Sequence, residues 1–426
     1  MAARRVIVVG GGIVGLCAAD ALLARDFAVT VIERDARPGD GCSFGNGGII
    51  VPSHFVPLAS PGMVATGLRM LPNRRSPFGI DGIPTPDILA WCWRFWRAAN
   101  RSHVERCGPV LRDLNLWSRR IFENMVHEMG VDVGFAQNGI LMLSRTERGF
   151  AEEKHTAVKA NSMGLKAEVL DRNELAKLEP NITMDVAGGV FFHDDAHLTP
   201  PPFMEALRQR VLDRGGEVVE GFEISSLRAE DGRITCVIAK RTSNPNPDLV
   251  EFPAEEFILA AGVWSHSLLK PLGIGMPMLA GKGYGLTLKY PPQNPSIPAF
   301  LTEARVAMTP MLDGVRFVGT MEIGRPSSHT NPDRIEGFRN SIVNYYPEFT
   351  PEVIRRAAVW CGLRPCPPDG MPYLGRIRGL NNLIVATGLG MMGMSLGPIS
   401  GQLVAELVMR QDPTVSLNLL NPNRYG

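Results

Sequence analysis

The stretch RRVIVVGGGIVGLCAADALLARDFAVTVIERD, from Arg4 to Asp35, constrains the fold of this chain more than any other. An unbroken apolar run, Val6 to Val9, predicts a buried strand. Glycines spaced Gly10-x-Gly12-x-x-Gly15 follow, and a helix is expected from Ile13 to Ala24. Gly10 permits a tight turn, Gly12 lets a pyrophosphate approach the backbone, and Gly15 lets helix and strand pack closely. The helix start presents free N–H groups and positive partial charge to phosphates. A second strand, Ala28 to Ile32, ends at Glu33, eighteen residues past Gly15. A carboxylate there can accept both ribose hydroxyls and disfavours a 2′-phosphate, which leaves NAD or FAD.

Further loops decide between those two. DGCSFGNGGIIVPSH (40–54) forms a close-approach loop with glycines 45, 47 and 48 and polar contacts from Ser43 and Asn46. A helix over 203–214 is capped by Thr199 and closed by Gly215-Gly216. Strands are expected at 217–224, 233–240 and 257–262, the last ending in Ala-Gly-Val-Trp. NLIVATGLGMMGMSLGPISGQLVAELVMR (382–410) reads as a strand, a glycine-rich loop and a helix opened by Pro398. No second GxGxxG supplies a separate nicotinamide domain, so the loops favour FAD.

At 426 residues the default is two domains. Formal charges nearly cancel, 44 basic against 43 acidic, which argues against a nucleic-acid binder, because phosphate neutralisation needs a basic excess. Seven cysteines without a CxxC pair suit a reduced, cytoplasmic setting better than a disulfide framework. No apolar run approaches the ~20 residues of a membrane span. PDILAWCWRFWRAA (86–99), with Trp91, Trp93 and Trp96 between arginines, reads either as an interfacial membrane helix or as one packed on its own protein. His193-Asp194-Asp195-Ala196-His197 has metal-like spacing only on a helix, and Thr199-Pro200-Pro201-Pro202 puts it in a loop, so no metal site is expected.

Residues 360–375, WCGLRPCPPDGMPYLG, surround Arg364 with neighbours that carry no counter-charge. A buried guanidinium needs a partner. Either Asp369 supplies it, or the partner is a ligand.

VVGGGIVGLCAADAL with Glu33, SFGNGG, AAGVWS, AGKGYGLTL, GLRPCPPDGMPYLG and GLGMMGMSLGP occur in order along the chain. In these the sequence resembles the FAD-dependent D-amino acid oxidase, glycine oxidase and sarcosine oxidase superfamily. It is most similar to the bacterial D-amino acid dehydrogenases, those acting on D-proline-like substrates included. The resemblance implies FAD contacts at Val9, Gly10, Gly11, Gly12, Ile13, Val14, Gly15, Glu33, Arg34, Ser43, Asn46, Gly47 and Gly48. It also implies a backbone contact to adenine at Ile224, Gly262 on the central strand, and Gly390, Met391, Met392, Gly393, Met394 and Ser395 near the flavin pyrimidine. Arg364 matches the arginine that grips the substrate carboxylate, and Tyr284 a position lining the pocket. Two departures matter. Gly388-Leu389-Gly390 stands where many relatives have Gly-His-Gly. Gly362 stands where covalent relatives carry a flavin-linked cysteine, so the FAD is expected to be non-covalent.

The implied activity is oxidative deamination by hydride transfer from Cα to flavin N5, giving an imino or keto acid. Rival readings are a 2-hydroxy acid dehydrogenase and a weakly catalytic subunit of an amine dehydrogenase complex. The expected partners are an amino acid and a quinone or other electron acceptor, with an oligomer and a peripheral seat on the inner membrane left open. The expected fold is α/β: a doubly wound, Rossmann-type FAD domain (1–134, 193–275, 356–426) interleaved with an antiparallel-sheet α+β substrate domain (135–192, 276–355).

Overall fold

The computed structural model describes residues 3–36, 39, 41–82, 85–244 and 248–426. Its first sheet is built around the strand Arg5–Val9, which runs parallel to Ala28–Glu33 on one side and to Glu256–Leu259 on the other. Glu217–Glu220 and Leu383–Thr387 extend the two sides in parallel, and Tyr373–Arg376 closes one edge antiparallel. The chain builds outward on one side of Arg5–Val9 and then returns to the other. The strand order therefore reverses at Arg5–Val9, and a crevice forms past its carboxyl end, at Gly10.

Alternation along these strands sends Val6, Val8, Val29, Val31 and Ile258 to one face. The helices Ile13–Leu23, Arg101–Met129, Pro200–Asp213 and Gly393–Met409 cover it. Each such side chain taken from water contributes about 1.5–3 kcal/mol before entropy. Ile7, Val9, Ile32, Phe257 and Leu259 point the other way, onto Leu227, Ile234, Val237 and Ala239. Those belong to a three-stranded antiparallel sheet, Phe222–Glu230, Arg233–Arg241 and Leu249–Pro253. The expected doubly wound domain thus has its long helices on one face only. The reason lies at Gly221: its φ of +76° breaks the expected single strand 217–224, so that Glu217–Glu220 stays in the first sheet while Phe222–Glu230 turns into the covering one.

The second large sheet has the order Ala358–Cys366, Leu279–Lys289, Gly314–Gly324, Val306–Met311, Ala299–Leu301, Ile140–Ser144, Gly188–Phe192 and Ala167–Asp171. Phe78–Ile80 pairs in parallel alongside Gly314–Gly324. Tyr284, Leu286, Phe317, Phe338, Tyr346 and Phe349 form a core on one face of it. Two of its strands, Ala358–Cys366 and Phe78–Ile80, fall in segments that the sequence boundaries gave to the cofactor domain. Ala358–Cys366 contains Pro365 and is an edge strand, where a missing N–H is tolerated.

Two helix starts also differ from expectation. Thr199 precedes Pro200–Asp213 without capping it, because its hydroxyl accepts the Leu312 N–H at 3.1 Å instead. The C-terminal helix begins at Gly393, leaving Pro398 inside it, and the neighbouring Ile399 N–H reaches the Ser118 hydroxyl at 3.4 Å.

Candidate active site

The glycine turn after Arg5–Val9 is fixed by backbone contacts. Gly10 has φ +105°, and a Cβ there would lie 2.6 Å from the Ala260 carbonyl oxygen. A Cβ on Gly15 would lie 1.9 Å from the Gly10 oxygen, so helix and strand can approach this closely only with glycine there. Glu33 accepts the Gly11 N–H at 2.6 Å on one carboxylate oxygen and the Asp35 N–H at 2.9 Å on the other. The loop from 41 to 48 folds over the helix start, where the Ser43 hydroxyl accepts the Ile13 N–H at 2.9 Å. Arg316 donates to the carbonyls of Phe44 and Asn46 at 2.8 and 2.9 Å and holds that loop to the second sheet. Asp40, at the start of the expected loop, lies outside the described residues.

One cavity of about 1840 Å³ joins the two sheets. Val9, Gly10, Gly11, Gly12, Ile13 and Val14 line it together with Glu33, Arg34, Ser43, Asn46 and Gly47. Ile224, Gly262 and the run Gly390 to Met394 line it as well. Gly15, Gly48 and Ser395 stand behind this wall. Ser395 is tied up structurally: its hydroxyl accepts the Val51 N–H at 2.9 Å and donates to the Asn115 side-chain oxygen at 2.5 Å.

Arg364 reaches the same cavity from the second sheet. Leu279–Lys289 pairs antiparallel with Ala358–Cys366, placing Gly281 opposite Arg364 and Gly283 opposite Gly362. Gly281, Gly283 and Gly285 share one face of their strand. Cβ atoms there would lie 2.7 Å from the Cys366 sulfur, 2.1 Å from the Arg364 guanidinium and 3.2 Å from the Trp360 ring. The glycines therefore make room for the side chains of the neighbouring strand. Tyr284, one residue out of phase, points to the opposite face and does not line the cavity. It is fully buried in the second core, where its hydroxyl donates to Glu322 at 2.5 Å and accepts the Asn331 N–H at 2.9 Å. Glu322 is in turn paired with Arg334 at 3.0 Å. The expectation that Tyr284 lines the pocket is corrected by this two-residue period.

The partner of Arg364 is not Asp369. Arg424 holds Asp369 through two hydrogen bonds of 2.7 and 3.0 Å. Arg364 donates instead to the carbonyls of Thr320 at 2.6 Å and Gly319 at 3.3 Å. Both lie at a register shift between Leu279–Lys289 and Gly314–Gly324, and Thr320 has φ +61°, a strained value for a β-branched residue. Among the described residues no carboxylate lies within ion-pair distance of Arg364. Burial lowers its pKa from the ordinary value, and the charge is retained because guanidinium starts so high.

The sequence reading missed a polar chain in the cavity wall. Ser53 donates its hydroxyl to Asp195 at 2.6 Å and its N–H to the other Asp195 oxygen at 3.0 Å. His54 Nδ1 lies 3.0 Å from the same hydroxyl. Burial pushes the Asp195 carboxyl up to about 8 and lowers His54 to about 4. Within His193–His197 the remaining side chains diverge: His193 meets Glu168 at 3.2 Å and Asp194 meets Arg119 at 3.6 Å. Among the described residues no group of His, Cys, Asp and Glu is arranged to hold a metal ion. In the sequence Asp195 is one acid of the run His193–His197, and spacing does not show that it is buried against Ser53.

The FAD dependent oxidoreductase family model matches residues 5–407. The chain belongs to that family. A D-amino acid dehydrogenase from Helicobacter pylori is 27% identical over 405 residues, which span 95% of this chain and 94% of the relative. The same-named protein of strain ATCC 700392 / 26695 is 28% identical with the same coverage. Among solved structures, glycine oxidase from Geobacillus kaustophilus superposes with a TM-score of 0.76 at 20% identity, over 99% of this chain and 100% of that one. L-amino acid deaminase from Proteus vulgaris gives a TM-score of 0.72 at 16% identity, over 100% and 94%. At these identities the solved structures support the fold.

The residues of this FAD-dependent oxidoreductase fit its cofactor. The cavity exceeds the roughly 300–1,000 Å³ of an ordinary ligand pocket, leaving room for a dinucleotide and a substrate. Gly10 to Val14 present a phosphate-sized backbone turn at a helix start, and Glu33 stands beside it. Farther along, Ile224 lines the same cavity, and Arg34 lies over the Trp264 ring at 4.2 Å.

Proposed function

We propose that this FAD-dependent oxidoreductase oxidises the Cα–N bond of a D-amino acid, cyclic ones such as D-proline included, and passes the electrons to a quinone-type acceptor. Arg364 carries the reading: a charged fork in the cavity wall, held by two backbone carbonyls and answered by no carboxylate of the described chain. Its planar donors match a carboxylate bidentately, which a lysine could not reproduce. The carbonyls of Gly319 and Thr320 orient the fork, and the glycine face of Leu279–Lys289 leaves space for it. Bound FAD supplies hydride acceptance at N5. The chain's task is then to fix the carboxylate so that Cα–H is presented in one orientation. Loss of two electrons and two protons leaves an imino acid, and the quinone that takes them up leaves as quinol. Water opens the imino acid to a keto acid and ammonia, whereas a ring imine stays closed. The D hand is supported by the likeness to the Helicobacter pylori relatives, which are D-amino acid dehydrogenases.

Non-covalent FAD is part of the same proposal. Gly362 stands where covalent relatives carry cysteine. Cys361 packs with the second core beside Tyr284, and burial raises its thiol pKa. Acid precipitation should leave a yellow supernatant containing FAD, and flavin held in the pellet would overturn this.

Anaerobic mixing with a panel of acids tests the substrate. D-amino acids should bleach the flavin. Bleaching by L-amino acids alone would reverse the hand, and bleaching by 2-hydroxy acids alone would replace the reading with an alcohol oxidation. No bleaching by any would leave a non-catalytic subunit. Turnover with an artificial dye should exceed turnover with oxygen; equal rates with stoichiometric peroxide would make the protein an oxidase.

A further inference from the structure

The helix Pro86–Ala98 is apolar on two sides, and the fold covers one. Ile88 and Trp91 are buried, Trp91 donates its indole N–H to the Cys366 carbonyl at 2.9 Å, and Phe95 stacks on Trp91 with centroids 5.2 Å apart. Leu89, Trp93 and Trp96, spaced i, i+4 and i+7, form a second stripe. They are 59%, 53% and 63% exposed. The helix Met63–Met70 buries none of its residues and leaves Leu68 62% exposed. The two helices are neighbours through Phe78, which lies against Gly67 and packs in the cluster around Trp91. Single exposed apolar residues are ordinary, but a helical stripe with two tryptophans is not.

The two helices and the segments that flank them carry far more positive than negative charge. Residues 61–101 contain Arg69, Arg74, Arg75, Arg94, Arg97 and Arg101 against two aspartates, with no lysine or glutamate, in a chain of net charge +1. One aspartate, Asp81, is taken by Lys282 at 2.7 Å. Arg97 lies over the Trp93 ring at 4.9 Å, and Arg74 comes within 4.0 Å of Asp333.

We propose that these two helices dock the protein on the surface of an anionic lipid bilayer. Leu68, Leu89, Trp93 and Trp96 enter the boundary between headgroups and acyl chains, and the arginines meet lipid phosphates. Indole rings suit that boundary, and long arginine side chains reach from it to the headgroups. A second copy of the chain is a poor occupant, because a two-fold contact would set this arginine-rich face against itself. No described helix is long and apolar enough to cross a membrane, so the contact is a surface one. The docked face adjoins the cavity: Met63, Val64, Leu68 and Leu71 line it from one helix and its end, and Trp91, Cys92 and Phe95 from the other. Docking therefore turns an apolar part of the cavity wall toward lipid, which deepens the reading of a quinone-type acceptor. Lipid binding and substrate turnover are measured separately, so either can fail alone.

The test is co-sedimentation of the holoprotein with phosphatidylcholine vesicles, with and without phosphatidylglycerol. Binding should require the anionic lipid and weaken with salt. A Trp93→Ser, Trp96→Ser variant should bind about tenfold more weakly or worse, and an Arg94→Gln, Arg97→Gln variant should lose much of the salt dependence. Both should keep wild-type flavin content and turnover with a soluble dye. Absence of binding to either vesicle overturns the proposal, as does binding that neither variant changes. A dimer in sedimentation velocity that the tryptophan variant dissolves would assign the face to self-association, and a stoichiometric protein partner lost with the same variant would assign it to that protein. Either result overturns lipid docking.

Discussion

Two sets of glycines shape the cavity, and they do so by different means. Gly10 and Gly15 bring backbone against backbone: a side chain at either would strike a carbonyl that the sheet holds in place. Gly281, Gly283 and Gly285 bring backbone against side chains, making room for Cys366, Arg364 and Trp360 of the next strand. The first set serves a phosphate-sized turn, where geometry must be rigid. The second leaves space for groups that can still shift. The first half should therefore fail by losing structure and cofactor, and the second by losing substrate.

The sharpest test of this contrast is Arg364→Ala, with the largest expected effect. Losing a charge-assisted bidentate contact costs on the order of 2–5 kcal/mol, or ~30- to several-thousand-fold in kcat/KM. Arg364→Lys should recover little of it, since an ammonium cannot form the fork. Flavin content should stay near wild type in both. Asp369→Asn should do the reverse, lowering Tm through its broken pair with Arg424 while sparing kcat/KM. Loss of flavin in Arg364→Ala would make the arginine structural and dissolve the contrast.

Gly15→Ala comes next. Its Cβ would overlap the Gly10 carbonyl oxygen, which the helix and strand cannot both accommodate. Overpacking of this kind costs about 1–3 kcal/mol. Thermal melting should show a lower Tm, and the purified protein should hold less FAD. A variant that keeps both would mean that the helix shifts without disturbing the turn.

The difference between the glycine sets also explains what the sequence disclosed. Gly10-x-Gly12-x-x-Gly15 carries its meaning locally, because turn, helix start and strand end lie within a few residues. That half of the site was legible, down to Glu33 beside the turn. AGKGYG was legible only as a strand. Its role depends on register with Ala358–Cys366, some 80 residues away in sequence, which spacing alone does not supply. The same gap misplaced Tyr284, which the resemblance put in the pocket although the period of two turns it into the core. Gly221 shows the limit for the fold: one residue with positive φ sends the chain into a covering sheet where helices were expected. The bulge at Thr320, which supplies carbonyls to Arg364, has no sequence signature at all.

Gly283→Ala sharpens the comparison from the weaker side. Its Cβ would meet the Arg364 guanidinium, the far end of a flexible side chain. The fold and flavin content should survive while the fork is displaced. KM should rise roughly threefold to thirtyfold, with kcat changing less. A Tm loss as large as that of Gly15→Ala would show that the second glycine set is as rigid as the first.

The smallest expected signal comes from the joint between the two halves. Asp195 lies between Gly188–Phe192 of the second sheet and the helix Pro200–Asp213 of the first, and it grips Ser53 from the loop that crosses the cavity. Burial keeps its carboxyl protonated up to about pH 8; the Ser53 hydrogen bonds and Arg119 act in the opposite direction, and Asp194 adds to the rise. In the unfolded chain an aspartate ionises near pH ~3.9. Between those values the native state holds a proton that the unfolded state has released, so stability falls as pH rises and levels off above about pH 8. Asp195→Asn removes that titration and can still hydrogen-bond Ser53. The Tm of the variant relative to wild type should therefore rise from pH 5 to pH 8, by a few degrees in a chain of this size. A difference that stays constant over that range would mean that Asp195 is ionised throughout. The joint would then be a charged clamp, and the two halves would be held by more than packing and neutral hydrogen bonds.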